Sequence, residues 1–474
     1  MTIADTWAVH CSTVTIDNLP VRVRQRTTTL LLDTIVCALV SADVPEGGRT
    51  VALAEASGMP IGSAPGTAYV LGRLAGLLDF EDSSPGGCHL GPSIVGSALS
   101  VGRSRSVSGA ELISAIAVGF DLGVRTSSAM GSYLRTIDGT IVGYADIWGI
   151  TAPSVMGAAG AAASAGRLST EAAARALTLA GSCSPVPIGH LWNREMDLPS
   201  TKFGDSGWCA HVGSFAAIAA THEVSAPATV LDDLDGLLRI GGGNERDPSL
   251  MVRDLGRDWA VTSAILKQRP CCGSIDPAAH LLDRIVRDHG MLPADIDQIT
   301  VEVGAEATSP RFLNPDPRTL ASLQFSIPHI MAVVAAGIPA GSRWFDADVV
   351  ENSEIAGLRA RVEVTTASEG DAYPTTQGPA RAPVTVSVRT RDGIVVSDSI
   401  HPARTPTRMT DPDDAVRTKA AEQLTATEAD ILLPLLDKVE KLDDITALLD
   451  MIVGCILERA ETRSSSRPRK VQIP

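Results

Sequence analysis

The sequence predicts a mainly α protein: a large all-helical domain plus a smaller α+β domain. Three observations carry this. Up to about residue 264, apolar residues recur at helical spacing or fill stretches that are apolar nearly all round. Between 265 and 405, apolar and polar residues begin to alternate, as they do in half-buried strands. From 406 to 460 the helical period returns. The expected organisation is therefore an all-helical domain over residues 1–264, completed by C-terminal helices over 406–460. The α+β domain covers 265–405, and 461–474 is a disordered tail.

Each element has its own reason. Residues 22–43, RVRQRTTTLLLDTIVCALVSAD, start polar and become an amphipathic helix. In 108–130 Ser108 is an N-cap with Glu111 three residues on, a capping-box pattern. Residues 154–168, SVMGAAGAAASAGRL, are small and apolar on every side, which predicts a buried helix. Ser169 opens the next helix, to 182, with Ala172 where a capping-box Glu would stand. An Ala-rich helix follows over about 207–221, with Asp205 and Ser206 at its N-cap. No strand pattern of any length is visible before residue 260. Beyond it, strands are predicted within 297–308, 358–368 and 380–400, the last folded at the Arg391-Asp392-Gly393 turn. Helices at about 274–290 and 323–336 lie among them, and 240–247, IGGGNERD, reads as a loop.

Composition narrows the partners. The net charge is −15 and the pI near 5.1, which argues against a nucleic-acid-binding surface, since that needs clustered positive charge. Aromatics are only 4%, so the core must rely on close packing of small residues. Eight cysteines follow no framework or CxxC spacing, which fits free thiols in a reducing cytoplasm. No basic, then apolar leader opens the chain, and no apolar run reaches bilayer length, so no membrane partner is expected.

Chemistry concentrates at three places. The chain has 34 arginines but six lysines, and before residue 419 only Lys202 and Lys267. Arginine serves a solvated surface as well as lysine does, so a lysine retained against this bias points to a site needing a compact ammonium. Lys202 lies in a polar loop before the Ala-rich helix. Lys267 is expected at the end of an apolar helix, at the domain junction where ligand clefts favour forming. The third place is LLDFEDSSPGGCHLGPS, 77–93, where Asp79, Glu81 and Asp82 precede a Gly-rich break and His89. A loop histidine beside carboxylates is suited to acid–base work. Asp79, Asp82 and His89 could also ligate a metal. However, no HxxxH or CxxC pair supports one, and hard cations need more oxygen ligands. An aspartate-rich diphosphate site fails because the acidic residues do not line a long helix and no second ligand triad follows. His329 opens an apolar helix; read alone, it is a capped core histidine.

Seven segments in order over about 25–340 resemble the motifs of the MmgE/PrpD family, which includes 2-methylcitrate dehydratase and cis-aconitate decarboxylase. They include LLDTIVCALVSA, LLDFEDSSPGGCHLGPSIVGSALSVG, STKFGDSGWCAHVGSFAAIAA, LKQRPCCGSIDPAAHLLD and QFSIPHIMAVVAAG. The resemblance implies an active-site cleft between two domains, a homodimer, and no metal or organic cofactor. The family's L-D-F-D-D-T motif falls on Leu78 to Ser83, its loop histidine on His89, and its two site lysines on Lys202 and Lys267. Several positions depart. Gly76 and Thr151 stand where histidines are usual, Asp205 where a histidine follows the first lysine, and His329 where a tyrosine is usual.

The expectation is a lyase, a dehydratase or decarboxylase, acting on a small carboxylate-bearing substrate of a specialised pathway. His89 would move the proton, oriented by Asp79 and Ser83, while Lys202 and Lys267 stabilise developing negative charge. Ser83, Thr151, Asp205 and His329 would touch substrate. Two alternatives are an isomerase or epimerase returning the proton to carbon, and a non-catalytic ligand-binding relative.

Overall fold

The computed structural model describes residues 1–465 apart from 85–86, 132–133, 138–139, 146, 187–188, 203, 242–244, 368–372, 376–377, 382 and 401–410. The 405/406 boundary, most of the expected tail and the centre of the 240–247 loop thus lie outside the described residues.

Helices α1 (Ile3–Thr13), α2 (Val21–Ala42), α3 (Pro45–Ala56), α4 (Ala64–Ala75), α5 (Gly91–Arg103) and α6 (Gly109–Met130) open the chain. After them come α7 (Thr151–Ala165), α8 (Thr170–Ser182), α9 (Gly189–Arg194) and α10 (Ser206–Thr221). The caps read from sequence form. Ser108 and Glu111 make a reciprocal capping box on α6, Ser169 accepts from Ala172 N on α8, and Asp205 accepts from Gly207 and Trp208 N on α10. Small residues bring the helices close. A Cβ added at Gly119 in α6 would lie 2.6 Å from Gly157 O in α7, and one at Gly157 would lie 2.9 Å from Gly119 O. The two backbones cross at reciprocal glycines, with α7 buried on nearly every side.

The second half carries α11 (Asp276–Asp288), β3 (Ile296–Val303), α12 (Leu320–Phe325), α13 (Ile327–Ala335), α14 (Ala347–Val350), α15 (Ser353–Arg359), β4 (Val362–Thr366), β7 (Val384–Thr390) and β8 (Val395–Ile400). The labels β1, β2, β5 and β6 belong to four short strands: Leu134–Ile137, Thr140–Tyr144, Tyr373–Thr375 and Gly378–Arg381. One sheet has the order β4-β3-β7-β8, with β3–β4 parallel and the other pairs antiparallel. Its buried face includes Ile299, Val301, Val386 and Val388, covered by α11.

The other sheet, β1-β2-β6-β5, corrects the expectation of an all-helical first half. Its strands are three to five residues long, too short for an alternation to register, and among the described residues β2 meets β6 at the Thr140–Ala380 pair. A second correction concerns Lys267. A single 3₁₀ turn at Ala260–Ser263 precedes it, and Ile265 then pairs antiparallel with Ser83, so the lysine follows extended chain rather than a helix.

Three C-terminal helices, α16 (Pro412–Gln423), α17 (Ala426–Leu436) and α18 (Thr446–Ser465), return to the first half. Helix α16 packs on α2, and α18 on α2 and α3. Among the described residues no single helix is long and apolar enough to cross a membrane.

Candidate active site

The acidic loop leaves α4 and is bent hard at once. Asp79 adopts φ 55°, the left-handed region that aspartate tolerates better than most residues. Three residues later Asp82 turns its carboxylate onto the start of α5. Oδ1 accepts from Gly91 N at 2.8 Å and Oδ2 from Leu90 N at 3.3 Å. Burial, followed by the charges of Asp33 and Glu81, pushes the Asp82 carboxyl up to about 7.

Between these anchors Asp79 and Glu81, each 1% exposed, meet both isolated lysines. Lys202 Nζ donates to Asp79 Oδ1 at 2.7 Å and to Glu81 Oε1 at 3.2 Å, while Lys267 Nζ sits 3.3 Å from Asp79 Oδ1. Burial alone would raise the Asp79 carboxyl. The charges of Lys202, Lys267 and His89 outweigh it and hold the group well below the usual carboxylate range. Burial opposes the charge on Lys267, but Asp79 and Glu81 overcome it and raise the ammonium above its ordinary value.

His89 closes the group. Its Nδ1 lies 2.9 Å from Asp82 O and 3.3 Å from Glu81 Oε1, and its Nε2 3.9 Å from Asp79 Oδ1. A carbonyl only accepts, so Nδ1 carries the hydrogen and Nε2 is the basic nitrogen of the neutral ring. Burial first, then the nearby Lys267 charge, lowers the His89 pKa, which favours that neutral ring.

A narrow cleft opens here, lined among others by Glu81, His89, Thr151, Ser154, Lys202 and Ser206. A second narrow hollow, with Arg73, Gly76 and Asp205 in its wall, shares Lys202 with it.

The structure thus brings Asp79, His89, Lys202 and Lys267 together, with Lys267 behind Asp79 and only 2% exposed. The other four expected positions fare differently. Thr151 reaches the cleft wall, but its hydroxyl is engaged at 2.6 Å on Pro185 O. Asp205 caps α10 and pairs with Arg73 in the second hollow. Ser83 does not orient His89: its Oγ donates to Ser84 O, and its backbone exchanges hydrogen bonds of 2.7 and 2.8 Å with Ile265. Asp82 O and Glu81 do the orienting instead. His329 is fully buried, its N–H held by Ser326 Oγ and its Nε2 2.9 Å from Trp344 O, so it is a core residue and does not line the cleft. At Gly76, where the resemblance expects a histidine, an added Cβ would lie 2.8 Å from Ser206 Oγ, so a side chain there would have to turn the serine hydroxyl aside.

The oxygen and nitrogen atoms of Asp79, Glu81 and His89 lie within 4.8 Å of one another, close enough to ligate a cation. They fit a metal poorly, because the Lys202 ammonium already sits between the two carboxylates and would repel it.

Glu81 and Lys419 are two residues of this region that sequence reasoning does not single out. For Lys419 the available signal is charge on an apolar stripe, since it shares the buried face of α16 with Val416 and Ala420.

Comparison with known proteins gives the following. Residues 6–247 match the MmgE/PrpD N-terminal domain and residues 270–431 the MmgE/PrpD C-terminal domain. The chain is also 24% identical to a cis-aconitate decarboxylase of Aspergillus terreus, over 94% of each protein.

Proposed function

This chain belongs to the MmgE/PrpD family, and from that membership we propose that it is a cofactor-independent lyase that removes water or CO2 from a small carboxylate-bearing substrate. The observation that carries the reading is the convergence of His89, Lys202 and Glu81 on one cleft, with Asp79 ion-paired to the same Lys202. A dehydratase/decarboxylase type of lyase is what the family and the distant relative support.

Lys202 has three N–H donors. Two meet Asp79 and Glu81, leaving a third for a substrate carboxylate oxygen. Its positive charge then stabilises the enolate-like charge that builds as a bond to carbon breaks. In dehydration, Nε2 of His89 takes the proton from carbon, the C–O bond breaks, and the hydroxide leaves as water with a proton returned through His89. In decarboxylation, the C–C bond electrons stay on carbon as CO2 departs, and the acid form of His89 supplies the proton. Lys267 keeps Asp79 ionised from behind.

With Thr151 committed to Pro185 O, His89 supplies the one imidazole that lines the cleft among the described residues. That favours, as a second reading, abstraction and return of a proton by the same group, an isomerase. Incubation with di- and tricarboxylates, cis-aconitate first, followed by mass spectrometry, separates the readings. Loss of 18 or 44 Da, the mass of water or CO2, supports the lyase, deuterium uptake from D2O without mass loss selects the isomerase, and no change in any member of the panel sinks both. A homodimer belongs to the same proposal, supported by the exposed Trp208 and Phe215 on α10, and a cytoplasmic setting is proposed from the free cysteines. A monomer in analytical ultracentrifugation would count against the dimer.

A further inference from the structure

Behind the acidic loop, away from the cleft, lies a second buried ammonium. Lys419 of α16 is 2% exposed and reaches across to α2 and to both walls of the site. Its Nζ lies 2.7 Å from Phe80 O, 2.9 Å from Asp33 Oδ1, 3.1 Å from Lys267 O and 3.2 Å from Cys37 Sγ. The same nitrogen stands 3.7 Å from the centre of the Phe80 ring. An ammonium has three hydrogens in tetrahedral array, which suits acceptors converging from several directions; a planar guanidinium does not.

The two backbone acceptors are the informative ones. Phe80 separates Asp79 from Glu81, so its carbonyl fixes the peptide between the two carboxylates. The other carbonyl belongs to Lys267 itself. Asp33, in the middle of the apolar run of α2, balances the charge.

We infer that Lys419 is a positioning residue for the active site: by hydrogen-bonding Phe80 O and Lys267 O at once, it sets the spacing between the acidic loop and Lys267. A helix beyond residue 411 thereby belongs to the catalytic unit while touching no substrate. Reacting groups need placement to within about half an ångström, and misplacement by an ångström can cost about 100-fold in rate.

The inference rests on the lyase reading for its turnover assay, so a second readout is independent of it. Three variants are needed: Lys419→Met, Lys419→Gln, and the double variant Lys419→Met/Asp33→Asn, which removes both buried charges together. Per folded molecule, kcat on cis-aconitate or whichever panel acid is turned over is expected to fall about 10- to 100-fold, with KM changed less. In the double variant the melting temperature recovers toward wild type while kcat does not. By NMR of labelled histidines, assigned with His89→Asn, the His89 titration midpoint moves toward the ordinary histidine value of about 6.5.

If the wild-type protein turns over nothing, the lyase reading fails and the His89 titration alone decides on Lys419. A folded variant with wild-type kcat and wild-type His89 titration overturns the inference. So does failure of all three variants to fold, which would assign Lys419 to stability alone.

Discussion

Replacing Lys202 by methionine removes one of the two ammonium groups that share Asp79, and the consequence has a definite sign and scale. In the wild-type site two buried carboxylates, Asp79 and Glu81, face Lys202 and Lys267. The variant leaves Lys267 alone against both. Deleting one partner of a buried pair costs about 3–5 kcal/mol. The variant can escape part of this by protonating a carboxylate, so the penalty depends on pH.

In the wild type, burial would raise Asp79, but Lys202 and then Lys267 hold it below the usual range. Its stabilisation is present above the unfolded value of about 3.9 and disappears as pH falls through the folded value. In the variant a carboxyl of this pair rises above its unfolded value. The folded state then holds an extra proton, and stability drops by about 1.4 kcal/mol per pH unit until the raised pKa is passed. Both effects run the same way: the variant is already behind wild type at pH 5, where the wild-type ion pairs are fully formed, and falls further behind by pH 8. Unfolding entropy of about 2.1 cal/mol/K per residue over 474 residues gives about 1 kcal/mol/K, so the full penalty appears as a loss of about 3–5 °C in Tm. Scanning calorimetry at the two pH values reads it. An equal loss at both, or a larger one at pH 5, refutes the electrostatic account of the site.

His89→Asn should keep the fold and lose about 100- to 10,000-fold in kcat; because the wild-type ring is held neutral, a dehydration that uses His89 as base should show an acid limb with its midpoint below pH 6.5, and a midpoint above it would remove His89 as the base. Burial pushes His329 down to about 4, so the unfolded chain binds more protons between pH 4 and 6.5, and the contribution of His329 is complete above 6.5 and lost as pH falls toward 4. His329→Gln should therefore flatten the pH dependence of the urea midpoint in that window, and an unchanged slope would contradict this. In Gly91→Ala the added Cβ would lie 2.4 Å from Asp82 Oδ1, which should push Asp82 off the start of α5 and cost about 1–3 kcal/mol in urea denaturation; a variant as stable as wild type would show that α5 does not depend on this contact.

The long helices were legible because their caps and periods are local. Ser108 with Glu111, and Ser169 before its alanines, could be read without any tertiary knowledge, and both caps form. So could the cluster at Asp79 to His89, since charge after an apolar helix and two stray lysines are anomalies of composition. What escaped was set by distance along the chain. The strands of residues 134–144 find one partner more than 200 residues away, and no local pattern announces that pairing. The Lys419 contacts span 386 residues to Asp33. His329 and Ser83 depart in the opposite sense: polar side chains near a site look functional in sequence, while burial and backbone pairing assign them to structure.

The Ser83–Ile265 pairing has a consequence for how such a protein can be inherited or recombined. The two family domains match on either side of residues 248–269, and Lys267 lies in that gap with Ile265 two residues before it. The lysine therefore travels with neither recognisable module, yet its register is set by a strand partner in the first. Chimeras that exchange halves with a relative at this seam would carry a mismatched Lys267 unless the connecting segment moves with the N-terminal half. The unit that evolution can shuffle intact is the loop together with its distant backbone partner, a unit that a division into domains does not reveal.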